Sequence, residues 1–340
     1  MPCRNRIYGR SFFARHYDNS VIARRLFDSA GPRQRHAVVS PLVEDVSNWS
    51  TEARMQRYLP EALPLATKAV EAALTSASID AADVGMFAVA SCTGYATPGL
   101  DALVASQTRM SDAVQRLFIG HMGCYAALPA LSSVADFVVA RNRPAVVLCT
   151  ELSSLHMQPR TNDVEQMVAH ALFSDAASAV VVEPSTTSRN DGLCVVDVEV
   201  RTDVAGADLM TWNITDLGFR MGLSNTVPDA LQKHVRPVVD ELLARRHLSV
   251  DDVAGWAVHP GGPRILDIVG ETLKLQPDRL QESRTVLAEH GNCSSATVLV
   301  VLDQVRQTRE LQSGQHVVSL AFGSGLTLYA MLLRAQEKAS

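Results

Sequence analysis

The chain alternates short, almost purely apolar runs with longer stretches in which apolar residues recur at helical spacing. Near-continuous runs of Val, Ala and Leu are typical of strands that are covered on both faces of a sheet. The predicted strands are 85–92, 145–151, 177–184, 194–200, 255–262 and 316–323. The intervening stretches predict helices at 53–77, 124–141, 228–246, 263–273 and 295–310. This alternation indicates an α/β protein with helices layered on its sheets.

A polar segment, PSTTSRNDG (184–192), separates two sets of these strands and helices. Clusters of Ser, Thr, Asn, Gly and Pro between periodic segments are typical of loops. We therefore predict a boundary in this segment, with an N-terminal half over 1–186 and a C-terminal half over 187–340. Each half would contain strand–helix units of comparable size.

Charge and hydropathy argue against several kinds of partner. The net charge of −5 is mild and no long basic run is present, so nucleic acid and anionic membranes are poor candidates. The first residues lack a continuous apolar segment, and no window approaches about 20 uncharged apolar residues. We therefore expect neither a secretory signal nor a spanning helix, and we expect the protein in the cytoplasm.

The six cysteines are dispersed along the chain, at positions 3, 92, 124, 149, 194 and 293. No two of them lie within four residues of each other, which argues against a zinc finger or ribbon. Scattered cysteines in a chain of this size are typical of free thiols in a reducing compartment. We expect no metal site.

Three polar residues stand where a predicted strand ends or a predicted helix begins: Cys124, His259 and Asn292. Ligands of layered α/β proteins usually bind at such ends. Each of the three is flanked by glycine or other small residues, which let a backbone or a substrate approach closely. The three positions are therefore candidates for one site.

Their residue types suit acyl transfer. The positive end of a helix dipole lowers the pKa of a thiol, and a nearby histidine can hold the thiolate as an ion pair. An asparagine amide donates hydrogen bonds to a developing oxyanion without titrating. Taken singly, Cys124 is more often a small core residue, His259 a turn residue and Asn292 a helix N-cap. The three together with their glycines favour the catalytic interpretation.

The segments around these residues resemble, in order and spacing, the Cys, His and Asn segments of type III polyketide synthases. They are GHMGCYAALPAL (120–131), WAVHPGGPRIL (256–266) and EHGNCSSATVL (289–299). SCTGYATPGLD (91–101), HALFSDAASAVVVE (170–183), DLGFRMGLSNTVP (216–228) and AFGSGLT (321–327) agree as well. The resemblance, to the chalcone synthase-like bacterial type, runs from about Arg35 to the C-terminus.

The resemblance implies a thiolase-like fold, an α/β/α/β/α layering of two pseudo-duplicated halves, and a homodimer. The N-terminal half would carry Cys124, and the C-terminal half His259 and Asn292. Cys124 would take an acyl group from an acyl-coenzyme A starter, and His259 would stabilise its thiolate. His259 and Asn292 would then bind the thioester carbonyl of malonyl-coenzyme A during loss of carbon dioxide. The coenzyme A thioesters are substrates, and no metal or organic cofactor is required.

The same matching implies a set of substrate contacts. Phe173 and Phe219 match a pair of gatekeeping phenylalanines, with plain core packing as the alternative. Four cavity positions match as well, with Thr97 on a loop that in the family reaches the partner's cavity. Pocket glycines follow from the HPGG and AFGSG segments. The cavity positions and glycines are Thr97, Ser153, His156, Ser294, Gly261, Gly262 and Gly323. His156 is unusual, and it could instead cap a strand end and point away.

The chain departs from the family pattern in three places. Ser324 replaces the proline of the usual GFGPG loop, and Phe173 begins FSDAA instead of FGDGA. The segment before Arg35 is short, so we expect the first strand and helix to be reduced or absent, with Arg24 and Arg25 as candidates for phosphate contacts.

Three alternative functions are considered. The first is a ketoacyl-acyl-carrier-protein synthase III-like enzyme. That class has a segment similar to HQAN at the position where this chain has HPGGP. A cysteine peptidase also orders Cys, His and Asn, but its nucleophile is normally flanked by aromatic residues near the mature N-terminus. An inactive scaffold leaves the three catalytic residue types unexplained.

Overall fold

The computed structural model describes residues 2–4, 12–185 and 192–336. The predicted boundary between 186 and 187 therefore lies outside the described residues and stays a prediction. The strands are β1 Pro2–Arg4, β2 Gln34–His36, β3 Met86–Ala90, β4 Gln115–Ile119, β5 Ala145–Glu151, β6 Ala176–Val182, β7 Leu193–Thr202, β8 Met210–Thr215, β9 Gly218–Leu223, β10 Val253–Val258, β11 His316–Gly323 and β12 Thr327–Ala335.

The helices complete the alternation. They are α1 Ala14–His16, α2 Val21–Ser29, α3 Thr51–Ala77, α4 Leu100–Gln107, α5 Ala127–Arg141, α6 Val164–Leu172, α7 Val227–Ala244, α8 Pro263–Leu273, α9 Gln281–His290 and α10 Ser295–Thr308. The first strand β1 and the first helix α1 are each three residues long, and the nine-residue helix α2 follows them, so these first elements are reduced but not absent.

Two four-stranded mixed sheets form the frame of the molecule. The N-terminal sheet has the order β4-β3-β5-β6, in which β3 pairs parallel with β4 and β5, and β6 pairs antiparallel with β5. The C-terminal sheet has the order β10-β11-β12-β7, with β10 parallel to β11 and the other pairs antiparallel. Strands β8 and β9 form a separate hairpin.

Helices α5 and α10 lie between the two sheets and pack against both. Helix α3 covers the outer face of the N-terminal sheet, and α7 covers the outer face of the C-terminal sheet with α8 packed beside it. This is the layering that the fold prediction requires, with one apolar core between the sheets and one on each outer side. The site described below lies where the central helices begin.

The sequence explains why the two kinds of helix occupy different layers. Helix α3 buries one stripe at four-residue spacing, Tyr58, Ala62, Ala66, Val70 and Leu74, so it needs only one apolar neighbour. Helix α10 buries five consecutive residues, 295–299, and so is covered on all sides of its first turn, which suits a position between two sheets. Residues Gly123–Arg141 are long and apolar enough to cross a membrane by composition, and their place in the central layer accounts for that hydropathy.

The elements that sequence periodicity missed have a physical explanation. Strand β4 is the edge strand of its sheet and is largely exposed, so it lacks the apolar run of a covered strand. Helix α9 is rich in charged residues, and the hairpin β8–β9 alternates too weakly to stand out. The six predicted strands are present, with ends shifted by a few residues.

Candidate active site

Cys124 lies in a 3₁₀ turn, Gly123–Tyr125, that leads from the end of β4 into helix α5. Gly123 has φ +69°, a left-handed conformation that glycine adopts without strain and that turns the chain sharply before the cysteine. Gly323, at the end of β11, approaches the same turn so closely that a Cβ there would lie 3.2 Å from the Cys124 nitrogen. Gly123 and Gly323 therefore allow the close packing that fixes the position of the turn carrying the Cys124 thiol.

His259 follows β10 directly, and its backbone N–H donates to the Leu320 carbonyl at 2.8 Å, which continues the pairing of β10 with β11. Its side chain is buried, and neither ring nitrogen has a hydrogen-bond partner among the described residues. Burial lowers the pKa of His259 to about 3, so the ring is neutral at physiological pH. A buried neutral imidazole with both nitrogens unpaired is costly to the fold and open to a ligand.

Asn292 lies between helices α9 and α10, and a backbone bridge to Phe173 holds it in place. Its Oδ1 accepts a hydrogen bond from the Ser294 N–H at 2.9 Å. This bond occupies the Oδ1, so the donor that Asn292 can offer where it lines the pocket is its Nδ2. The N-cap alternative is not what the structure shows, because the N-cap of α10 is Ser294.

The three side chains line one pocket of about 840 Å³. Gly261, Gly262 and Phe173 line it too, together with apolar side chains that include Leu172, Met210, Met221 and Phe322. The sequence thus brings together, in one largely apolar space, a thiol, an unpaired imidazole and an amide donor. That set can carry an acyl group and stabilise negative charge on a carbonyl oxygen.

The thiol of Cys124 is not activated by its helix alone. Burial raises its pKa to about 12, and the Glu151 carboxylate adds to the rise, while a hydrogen bond with Ser294 lowers it. The expected effect of the helix N-terminus is therefore outweighed, because the helix proper begins only at Ala127 and the thiol is desolvated. Within the pocket, His259 is the neutral base that can take the thiol proton.

Glu151 was not among the predicted site residues. It ends β5, is buried, and accepts hydrogen bonds from the Cys92 N–H at 3.1 Å, the Thr93 hydroxyl at 2.9 Å and the Ser295 hydroxyl at 2.6 Å. Burial raises its pKa, and these hydrogen bonds oppose that rise. The available signal was an acidic residue at the end of an otherwise apolar run, AVVLCTE.

Family comparisons agree with this geometry. Residues 34–216 match the family model described as FAE1/type III polyketide synthase-like protein, and residues 202–337 match the chalcone and stilbene synthase C-terminal domain. The 1,3,6,8-tetrahydroxynaphthalene synthase of Streptomyces peucetius subsp. caesius is 34% identical over 317 residues, 92% of this chain and 84% of that protein. The chain belongs to the type III polyketide synthases.

Other relatives support the assignment. The α-pyrone synthesis polyketide synthase-like Pks18 of Mycobacterium tuberculosis is 31% identical over 286 residues, 82% of this chain and 72% of its own. The crystal structure of the tetrahydroxynaphthalene synthase from Streptomyces coelicolor superposes with a TM-score of 0.92 at 26% identity, covering 99% of this chain and 96% of that one. The protein is therefore an acyl-transferring condensing enzyme with a thiolase-like fold.

Beside the large pocket, this polyketide synthase has a second, smaller cavity of about 70 Å³. Phe173 and Met221 line both spaces. Three predicted contacts, Ser153, His156 and Phe219, line the smaller cavity but not the larger one. The matched residues are thus divided between two spaces that share a wall.

Three predicted contacts line neither space. Ser294 is buried, and its hydroxyl lies 3.7 Å from the Cys92 sulfur and bonds the Cys124 thiol. Gly323 packs against the Cys124 turn. Thr97 is exposed on the loop before α4, and its hydroxyl bonds only Tyr95 among the described residues. Its predicted contact with a partner's cavity stays a prediction.

Proposed function

We propose that the enzyme condenses malonyl-coenzyme A, or a substituted malonyl-coenzyme A, onto an acyl-coenzyme A starter and releases a pyrone- or resorcinol-type polyketide. The observation that carries this proposal is the unpaired His259 ring in the same pocket as Cys124 and the Asn292 amide. Relatives named for tetrahydroxynaphthalene and α-pyrone products support it.

Loading begins at Cys124. Because burial holds the thiol protonated, His259 takes its proton as the sulfur attacks the starter thioester. The thioester bond to coenzyme A breaks, the coenzyme A thiolate leaves and takes up a proton, and the acyl group remains on the Cys124 sulfur.

Extension uses the same pocket. The thioester carbonyl of malonyl-coenzyme A accepts hydrogen bonds from His259 and from the Asn292 Nδ2. Loss of carbon dioxide moves an electron pair onto this carbonyl, and both donors stabilise the resulting enolate. The enolate carbon attacks the Cys124 thioester, the Cys124 sulfur leaves, and the chain grows by two carbons. Phe173, an apolar ring on the pocket wall, disfavours the malonyl carboxylate and so favours its loss.

The mouth of the pocket suits the coenzyme A moiety. Leu26 and Ser29 of helix α2 line it, which places the exposed Arg24 and Arg25 on the same helix. Arg264 also lines the pocket, and its side chain is mostly exposed. We assign phosphate contacts to these guanidinium groups. The proposed working form is a cytoplasmic homodimer.

The test incubates the pure protein with a series of acyl-coenzyme A starters and malonyl-coenzyme A, with products identified by mass spectrometry. Intact-protein spectra should show an acyl adduct that disappears in Cys124→Ala. Transfer from acyl-carrier protein with no reaction of malonyl-coenzyme A would instead support the ketoacyl synthase III-like alternative.

A further inference from the structure

His156 is the last residue of a 3₁₀ turn, Ser153–His156, that follows β5. Its Nδ1 accepts the Phe219 backbone N–H at 2.9 Å, and its Nε2 lies 2.7 Å from the Thr93 carbonyl oxygen. A backbone N–H only donates and a carbonyl only accepts, so the ring must be neutral with its hydrogen on Nε2. Burial and the nearby Arg54 lower the pKa of His156 to about 4, which agrees with this tautomer.

The side chain of Phe219 is held by the same imidazole. The two rings are stacked, with centroids 4.4 Å apart and planes 12° from parallel. Trp212 contacts both rings edge-on, and its Nε1 donates to the Cys92 carbonyl at 2.7 Å. Through these contacts the hairpin β8–β9 is joined to the loop that follows β3.

Arg54 supports this arrangement from helix α3. Its buried guanidinium donates to the carbonyls of Leu155 at 2.5 Å and Met157 at 3.0 Å, the residues on either side of His156. Its side chain also fills the space beside Gly218, where a Cβ would lie 2.6 Å from the Arg54 Cδ. The backbone before Phe219 and the backbone around His156 are thus held by one side chain.

Both nitrogens of His156 are occupied by backbone groups, so the ring has no donor or acceptor left for a ligand in the small cavity. We propose that His156 is a positioning residue that fixes the backbone and the ring of Phe219 in the small cavity, whose wall with the Cys124 pocket is formed by Phe173 and Met221. From the small cavity, Phe219 then controls how malonyl-coenzyme A and the growing chain are accommodated beside the shared wall. This inference rests on the proposed function, because it takes Phe219 as a substrate contact.

The first measurement does not depend on activity. Hydrogen-exchange mass spectrometry of a peptide covering 216–223 should show faster exchange of the Phe219 amide in His156→Leu, because leucine removes the acceptor. His156→Gln retains one acceptor and one donor and should restore most of the protection. A Phe219 amide that is equally protected in the parent and the Leu variant overturns the inference, even if the enzyme is inactive.

The second measurement is a double-mutant cycle of His156→Leu with Phe219→Leu in a malonyl-coenzyme A decarboxylation assay. We expect His156→Leu to raise KM about tenfold with a smaller change in kcat, and to add less than about twofold when Phe219 is already Leu. Equal effects of His156→Leu in both backgrounds, or a change in kcat alone, would contradict a role through Phe219.

Thr108→Val provides the matched control, because it removes a buried side-chain hydrogen bond to the Val104 carbonyl at the end of α4, away from both cavities. It should lower stability without changing KM. If His156→Leu does not fold, the same cycle is run with His156→Asn, which removes the imidazole ring that stacks on Phe219 and should show the same coupling with a smaller change in KM. A parent enzyme that does not decarboxylate malonyl-coenzyme A would refute the proposed function, and the exchange measurement then decides the inference separately.

Discussion

Two buried histidines on either side of the wall shared by the cavities have opposite hydrogen-bonding states. His259, in the catalytic pocket, has both ring nitrogens unpaired within the described residues, whereas His156, beside the small cavity, has both nitrogens bonded to backbone. Burial lowers the pKa of both, so protonation does not distinguish them. Their hydrogen bonds distinguish them. His259, whose ring nitrogens have no hydrogen-bond partner among the described residues, is the one available to a substrate.

The largest expected effect is the loss of polyketide formation when the Cys124 thiol, which His259 is proposed to deprotonate, is removed. Cys124→Ala should form no polyketide but should still release carbon dioxide from malonyl-coenzyme A, because the enolate site remains intact. Radiolabelled malonyl-coenzyme A with parallel product analysis separates the two readouts. Polyketide formation by Cys124→Ala would show that another residue carries the acyl group.

The next largest effect is expected on the rate of decarboxylation when Asn292, the proposed oxyanion donor, is replaced. Asn292→Ala should slow decarboxylation by about 10²-fold, or ~3 kcal/mol of barrier, the typical effect of one such donor. Asn292→Asp is the sharper variant, because it can still accept the Ser294 N–H but presents a carboxylate to the pocket. Its expected rate is as low as that of Ala or lower. Near-parental decarboxylation in either variant would remove Asn292 from the enolate site.

Alkylation tests whether His259 activates the thiol. Burial raises the pKa of Cys124 and of Cys293 alike, to about 12, but only Cys124 lines the pocket with His259. Iodoacetamide should therefore label Cys124 faster than Cys293 near pH 7. In His259→Ala the Cys124 rate should fall by about tenfold or more and then rise with pH up to 10, because the thiolate fraction increases toward the raised pKa. A rate unchanged by His259→Ala would contradict the assigned base.

The free energy of unfolding is expected to separate the two histidines by the sign of the change rather than by its size. His156→Leu leaves the Phe219 N–H and the Thr93 carbonyl unpaired and should cost about 2–4 kcal/mol of unfolding free energy. His259→Leu removes two unpaired polar atoms and should be neutral or stabilising by up to about 2 kcal/mol. Urea unfolding of both variants checks the signs. Equal destabilisation would mean that His259 is bonded in solution.

The sequence allowed the fold class, and the three residues that converge on one pocket, to be predicted for different reasons. Covered strands such as 145–151 have a strong apolar signal, whereas the edge strand β4 faces outward and has none. Cys124, His259 and Asn292 were found because each stands beside glycine at the end of an element. Glu151 was missed because a single acidic residue in an apolar run does not reveal that four donors surround it.

The sequence by itself determined the alternation of strands and helices, the residue types at the strand ends and the family, because these depend on local pattern and motif spacing. Only the tertiary structure decided what each polar side chain is available for. Burial, not the helix N-terminus, dominates the pKa of Cys124, and contacts more than 60 positions apart occupy both nitrogens of His156. Desolvation and hydrogen-bond partners depend on which distant segments pack together, and no local pattern records that packing.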